Sequence, residues 1–290
     1  MNQRRPAGWL VDGSLLMITL IWGATFVLVK RALADASTLL FLTIRFAAAA
    51  FVLALVFRKA FRAGKLAMSI RGGMLAGLCL FGGYVFQTVG LRYTSASKAA
   101  FITGFTTPLV ALLGSILYRR APQLTELLGV GIAFLGMALM TIPGGRFQID
   151  AGDLWVSGCA VAYAFHILLT GRFASEVNIG VFIFTEIATG AAVGAATFWW
   201  AEPVRVHWSP LLIVTLTVTG LFATALGFSI QTWAQRWTSP THTALIFAME
   251  PVFAWITSYL VAGEVLSRRA TLGAALIIGG ILMVELKTDG

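Results

Sequence analysis

Long apolar runs separated by short polar connectors fill this sequence, and that alternation leaves few folds open. The runs lie at about 13–30, 37–57, 71–91, 97–117, 124–142, 152–171, 179–200, 209–232, 241–260 and 270–286. A bilayer-spanning helix needs about 20 mostly apolar residues, which each run supplies or nearly supplies. Backbone amides cannot stay unpaired in hydrocarbon, and the runs are too long for barrel strands and lack strict alternation, so each is predicted to be a helix. The expected fold is all-α, a polytopic membrane protein with ten transmembrane helices. Composition agrees: 58% of residues are hydrophobic and only 11% charged, against about 25% charged in soluble domains. No connector is long enough to form a separate catalytic domain.

The balance of 21 Lys and Arg against 12 Asp and Glu gives a net charge of +9. In a soluble protein that excess would suggest nucleic acid. Here the basic residues sit between apolar runs, where cytoplasmic loops collect them beside anionic lipid, so the expected partner is the bilayer and nucleic acid is disfavoured. With the N-terminus inside, the cytoplasmic connectors hold Arg4, Arg5, Arg58, Lys59, Arg62, Lys65, Arg71, Arg119, Arg120, Arg172, Arg236 and Lys287. The other side holds only Lys30, Arg31, Arg92, Lys98, Arg146, Arg205, Arg268 and Arg269. This predicts cytoplasmic N- and C-termini. The run after the basic residues 1–12 is long for a signal-peptide core and no cleavage pattern follows it, so it is expected to be a retained first helix. Cys79 and Cys159 lie inside apolar runs without metal-ligand spacing.

The sequence also repeats itself. A shift of 144 places Gly83, Gln87, Thr88, Arg92, Thr94 and Ser95 over Gly227, Gln231, Thr232, Arg236, Thr238 and Ser239. Apolar similarity alone does not match Gln and Arg. With small slips, Pro108 falls on Pro251, Gly129 and Gly136 on Gly273 and Gly280, Trp22 on Tyr163, Arg31 on Arg172, and Arg45 on Glu186. Residues 13–142 and 152–286 are therefore expected to be two repeats of five spans. Five being odd, the second copy enters the membrane from the opposite side, and inverted repeats are a hallmark of secondary transporters working by alternating access.

Trp22-Gly23-Ala24-Thr25-Phe26, Arg45-Phe46, Glu250-Pro251-Val252-Phe253-Ala254 and Gly263-Glu264 carry a resemblance. They look like the drug/metabolite transporter superfamily, and within it the ten-helix EamA-type permeases, over nearly the whole chain. One departure is visible: Arg120-Ala121 stands where the second half has Gly263-Glu264. The resemblance implies an inner-membrane carrier, often an exporter of amino acids or related metabolites. It also implies a central cavity lined by the first, third, fourth, sixth, eighth and ninth spans.

Several residues stand out as candidates for substrate contact or gating. Pro108 and Pro251 fall mid-run at matching places, each removing an amide donor and leaving the Gly104 or Phe247 carbonyl unpartnered; they are gating kinks or simple packing bends. Glu250, beside Pro251, is costly inside a membrane, so it either binds a substrate amine or a coupling proton, or braces the kink. Gln87 and Gln231 suit a neutral or zwitterionic ligand, with interhelical bonding as the alternative. Trp22, Tyr84, Phe101, Phe105, Tyr163 and Phe228 lie on the spans that the resemblance turns to the cavity, where rings suit amphipathic solutes. His166, one turn after Tyr163, is a titratable neighbour or a neutral core histidine. Arg45 and Glu186 are expected outside the cavity, Arg45 as a structural residue and Glu186 standing alone. Lys98 and His242 read as rim groups.

The predicted function is a secondary transporter of a small neutral, zwitterionic or amphipathic, amino-acid-like metabolite, working as an exporter, with protons as a candidate coupling ion. Phosphorylated substrates are disfavoured because the runs offer mainly one arginine. A membrane-embedded enzyme is the competing class, yet the runs offer no paired Asp, Ser/His dyad or HExxH, and Glu186 and Glu250 each stand alone. A non-transporting scaffold is the third, and it would not need matched prolines and glutamines. No cofactor motif or Walker A sequence occurs, so transport would draw on a gradient. Oligomeric state stays open, because the stripes Gly129–Gly136 and Gly273–Gly280 suit packing within or between subunits.

Overall fold

A computed structural model describes residues 6–62, 64–94, 96–119, 121–141, 150–262 and 267–288. Gly263 and Glu264, the 142–149 connector and the Lys98 side chain lie outside that description. The helices are α1 (Gly8–Ala32), α2 (Thr38–Val56), α3 (Leu66–Tyr93), α4 (Ala96–Thr103), α5 (Thr106–Tyr118), α6 (Leu124–Thr141) and α7 (Ala151–Phe173). There follow α8 (Ile179–Ala201), α9 (Pro210–Val218), a π-helical stretch (Thr219–Leu226), α10 (Gly227–Ala234), α11 (Pro240–Phe247), α12 (Glu250–Ala262) and α13 (Arg268–Thr288). Each apolar run coincides with one helix or with an interrupted helix. Seven of these, including the composite Ala99–Tyr118 and Pro210–Ala234, are long and apolar enough to cross a membrane among the described residues, and Leu124–Leu139 is a shorter apolar helix.

Local chemistry sets the helix ends. Ser209 and Ser239 cap the helices opened by Pro210 and Pro240, their hydroxyls accepting the Leu212 and His242 amides at 3.0 and 3.1 Å, which occupies donors the first turn leaves free. Between helices, arginines hold the carbonyls of connector residues. Arg92 donates to the Ala36 carbonyl at 2.8 Å and to Thr38 Oγ1 at 2.6 Å. Its repeat equivalent, Arg236, donates to the Val177 and Ala174 carbonyls at 2.8 and 2.6 Å. The repeat shift carries Ala36 onto Val177, so the two clamps are copies of one another. Partial burial of Arg236, which reaches from the α10–α11 connector to the α7–α8 connector, lowers its proton affinity.

The clamps lie at opposite ends of the bundle. Near Arg92, Lys30 at the close of α1 donates to the Thr94 carbonyl at 2.6 Å, and Thr94 donates to Asp153 in the first turn of α7 at 2.6 Å. The end of α1 thus meets the start of α7, so helices equated by the repeat run in opposite directions. Asp35 and Ser209 join the α1–α2 and α8–α9 connectors at that same end, where an isolated antiparallel bridge pairs Ala36 with Val206.

Small residues let the helices meet. Gly129 faces the Gly280 carbonyl and Gly136 the Gly273 carbonyl, so the two glycine stripes pack α6 against α13 within one chain. A methyl at Gly129 would stand 2.7 Å from the Gly280 oxygen. Gly129→Ala is expected to cost about 1 kcal/mol by forcing the backbones apart, read as a lower unfolding temperature of the detergent-purified chain. An unchanged temperature would mean that the two helices do not pack as described.

Both mid-run interruptions differ from the sequence expectation. The breaks fall at Gly104–Phe105 and Ala248–Met249, upstream of the prolines, and Pro108 and Pro251 stand in the first turns of α5 and α12. There a missing N–H removes no intrahelical bond. The Gly104 carbonyl is not left bare, since it accepts the Thr107 amide at 3.1 Å.

Candidate functional site

A cavity opens where the two halves face each other, with about 850 Å³ of empty space counting its open mouth. Helix α1 contributes Trp22 and Thr25, α3 contributes Tyr84 and Gln87, α7 contributes Tyr163 and His166, and α10 contributes Phe228 and Gln231. The interrupted helices add Thr103, Thr107, Phe247 and Glu250. Lining residues Val29, Thr88 and Leu91 carry it toward the end where α1 and α3 finish. The other end is plugged by apolar packing. Val11, Leu15, Ile18, Ala234 and Ile246 form one cluster there, and Val110, Ala164, Ile167, Leu168 and Ala244 form another. Phe247 packs on both.

The aromatic wall is built on the repeat. A Cβ at Gly83 would strike the Tyr163 ring, and one at Gly227 would stand 3.1 Å from Trp22 Nε1. Each repeat's glycine therefore receives the ring of the other repeat's leading helix, Trp22 and Tyr163 being equivalents. Tyr84 and Phe228, also equivalents, lie at the centre with centroids 6.1 Å apart. Trp22 reaches Phe228 at 5.4 Å and Tyr84 reaches Tyr163 at 5.6 Å, spacings typical of favourable ring pairs. The Trp22 indole N–H donates to the Ala223 carbonyl of the π-helical stretch at 2.8 Å.

Polar groups thread this wall. Tyr163 donates to Gln87 Oε1 at 3.4 Å, and Gln87 Nε2 donates to Thr103 Oγ1 at 3.2 Å. Gln231 donates to Gln235 at 3.1 Å, which donates in turn to the Ile167 carbonyl at 2.9 Å. Thr107 donates to the Ala244 carbonyl at 2.9 Å, tying the two interrupted helices together.

Arg45 was expected outside the cavity, and the structure places it in the wall. Its Nε donates to Thr224 Oγ1 at 2.7 Å and one terminal nitrogen donates to Tyr84 Oη at 2.9 Å. Thr224 in turn donates to the Thr219 carbonyl at 2.8 Å, so the π-helical stretch holds the guanidinium; such stretches often mark functional positions. Glu186, expected to stand alone, meets His166 Nε2 at 2.5 Å. Glu250 has no hydrogen bond or ion pair to any described residue and lines the cavity half-buried. His242 reaches Asp12 at 2.9 Å, away from the cavity.

Of the residues expected at the substrate, the cavity gathers Trp22, Tyr84, Gln87, Tyr163, His166, Phe228, Gln231 and Glu250. Phe101 and Phe105 fall elsewhere. Their rings pack on Phe134 of α6 at 5.7 and 4.5 Å, because the turn between α4 and α5 points that face of the run toward α6 rather than inward. Sequence reasoning missed Arg45 and the hydroxyls of Thr103 and Thr107. A lone arginine deep in an apolar run was the available signal for the first; the threonines carried none.

The model of the EamA-like transporter family matches residues 10–142 and again 150–286. This chain belongs to that family. Relatives extend over nearly its whole length: an uncharacterized transporter from Archaeoglobus fulgidus is 30% identical over 95% of this chain and 86% of its own. The uncharacterized transporter YyaM of Bacillus subtilis is 26% identical over 92% and 91%. The uncharacterized inner membrane transporter YedA of Escherichia coli is 21% identical over 94% and 90%. A protein crystal structure 18% identical to the chain superposes with a TM-score of 0.77 over 96% of both chains and shares the fold. The chain is thus a multi-pass membrane protein of a transporter family.

Proposed function

We propose that this EamA-like protein is a secondary carrier of the bacterial inner membrane that exports a small amphipathic zwitterion, amino-acid-like in its chemistry. Two inverted five-helix repeats, 13–142 and 152–286, rock about the cavity, with both termini cytoplasmic and the cavity facing outward in this conformation. Pro108 and Pro251 start the second halves of the interrupted helices, whose breaks act as the pivots. The observation that carries the substrate class is Glu250, a carboxylate without a polar partner among described residues, in the same aromatic cavity as Arg45. Glu250 receives the substrate amine. Arg45, two of whose nitrogens are held by Thr224 and Tyr84, offers the third to the carboxylate. The rings of Trp22, Tyr84, Tyr163 and Phe228 take the side chain, and Gln87 and Gln231 bond its polar edge. One carboxylate and one guanidinium match a ligand of no net charge, since an unpaired charge in so apolar a site is costly.

Uptake by proteoliposomes containing the full chain tests this. L-phenylalanine is expected to be carried about tenfold faster than phenethylamine or hydrocinnamate, each of which leaves one protein charge unpaired. Equal rates for all three, or none above empty liposomes, would overturn the substrate class. In everted vesicles loaded through the cytoplasmic face, export predicts net movement inward into the vesicle lumen.

A further inference from the structure

We infer that His166 and Glu186 form a proton-binding site that couples the carrier to a proton gradient. The pair spans two helices, α7 and α8, with Nε2 and Oε1 2.5 Å apart and both side chains almost wholly buried. His166 also lines the cavity and stands edge-on to Phe228 at 5.5 Å. Thr170 Oγ1 lies 3.4 Å from the same ring nitrogen.

Two observations separate this pair from a structural ion pair. Glu186 Oε2 is buried with no hydrogen-bond partner, and a carboxylate oxygen in that condition is strongly disfavoured. Glu186 is also the repeat equivalent of Arg45. Where Arg45 meets the Tyr84 hydroxyl, the equivalent of Tyr84 is Phe228, which has no hydroxyl to give. The second repeat therefore leaves its charge half-satisfied. With neutral His166 donating to ionised Glu186, the pair carries one negative charge in the apolar core. One proton taken from cavity water brings the pair to zero charge, and the same proton leaves when the cavity opens to the other side.

The titratable and charged groups on the surrounding elements are Arg45 on α2, Arg71, Cys79, Tyr84, Arg92 and Tyr93 on α3, Lys98 on α4, Tyr118 on α5, Asp153, Cys159, Tyr163 and Arg172 on α7, His242 on α11, Glu250 on α12, and Arg62 in the α2–α3 connector. None of them hydrogen-bonds the pair among the described residues. Phe228 joins the site to the cargo, because the ring that abuts His166 also abuts Trp22 and Tyr84. An occupant pressing on that wall acts on the pair directly.

The site stands on the geometry of the pair, while its use in coupling rests on the carrier reading. The test keeps them apart. In proteoliposomes, a pH gradient is expected to drive accumulation of L-phenylalanine by the native chain. E186Q is expected to lower that accumulation about tenfold further than it lowers counterflow exchange at equal pH. H166Q gives the same separation if E186Q does not fold. Accumulation indifferent to the gradient, or lost in proportion to exchange, overturns coupling at this pair. Should L-phenylalanine not be carried at all, the substrate reading fails and the proton site is decided without it. The chain has three histidines, so ring-labelled protein with H207Q and H242Q in nanodiscs reports His166 alone. A pH-dependent ring signal that E186Q displaces supports the site, and a ring insensitive to pH overturns it.

Discussion

Glu250→Gln is expected to weaken the binding of L-phenylalanine and phenethylamine by about 10- to 100-fold while hydrocinnamate, which no longer leaves a carboxylate unpaired, is not weakened. The span follows from the charge-assisted hydrogen bond removed, about 1.5–3 kcal/mol. Glutamine keeps the volume and an acceptor oxygen, so the packing of α12 against α1 at Gly23, where a Cβ would stand 2.7 Å from the Glu250 carbonyl, is untouched. The main-chain contact and the side-chain charge are therefore separable at one residue. Titration calorimetry on the detergent-purified chain with the three ligands gives the answer. An equal loss for all three would mean that the carboxyl braces the break before α12 rather than receiving an amine, and the substrate class would fall with it.

The spans were legible in the sequence because the bilayer imposes a length and an internal hydrogen-bonding rule that one dimension records. Each of the ten runs coincides with a helix or an interrupted helix. What the runs concealed was where a helix breaks. Proline was taken as the point of rupture, whereas the chain turns at Gly104–Phe105 and at Ala248–Met249 and uses proline to start the next segment. A proline is compatible with both, and only the tertiary fit between α5 and α11, joined through Thr107 and the Ala244 carbonyl, selects one. The π-helical stretch was equally hidden. Its equivalent in α3 is a regular helix, so nothing in the repeat announced it.

The site was legible where the repeat marked it and opaque where side chains cross between helices. Gly83 with Gln87 and Gly227 with Gln231 stood out as matched polar and small positions, and all four appear at the cavity or against its rings. Phe101 and Phe105 were expected beside them from their span alone, which fixes the helix but not the direction a face takes after an interruption. Arg45 and Glu186 went the other way. Both lie in runs that flank the cavity, and their long side chains reach inward, Arg45 to Tyr84 and Glu186 to His166. Helix-level reasoning places a backbone; a side chain several bonds long reports to a neighbouring helix that the sequence does not name.

The repeated glycines supply the other large expected effect. Gly83→Val is expected to destabilise the chain by about 3 kcal/mol, at the upper end for overpacking. The new Cβ meets the body of the Tyr163 ring rather than a flexible tip, and Tyr163 is confined by Tyr84 at 5.6 Å and by its bond to Gln87. Gly227→Ala, at the equivalent position, is expected to change stability by no more than about 1 kcal/mol. Its Cβ would find Trp22 Nε1 at 3.1 Å and the Phe222 carbonyl at 3.4 Å, contacts that small shifts relieve, and alanine recovers up to about 1 kcal/mol of helix propensity. Thermal unfolding of both variants and of Gly83→Ala in detergent measures the asymmetry, with Gly83→Ala lying between the other two. If all three unfolded alike, the rings of Trp22 and Tyr163 could not be seated on these glycines. Matching sequence would then have been matched by equal environments, whereas the cavity described here requires the two halves to differ wherever a ring of one is pressed against the backbone of the other.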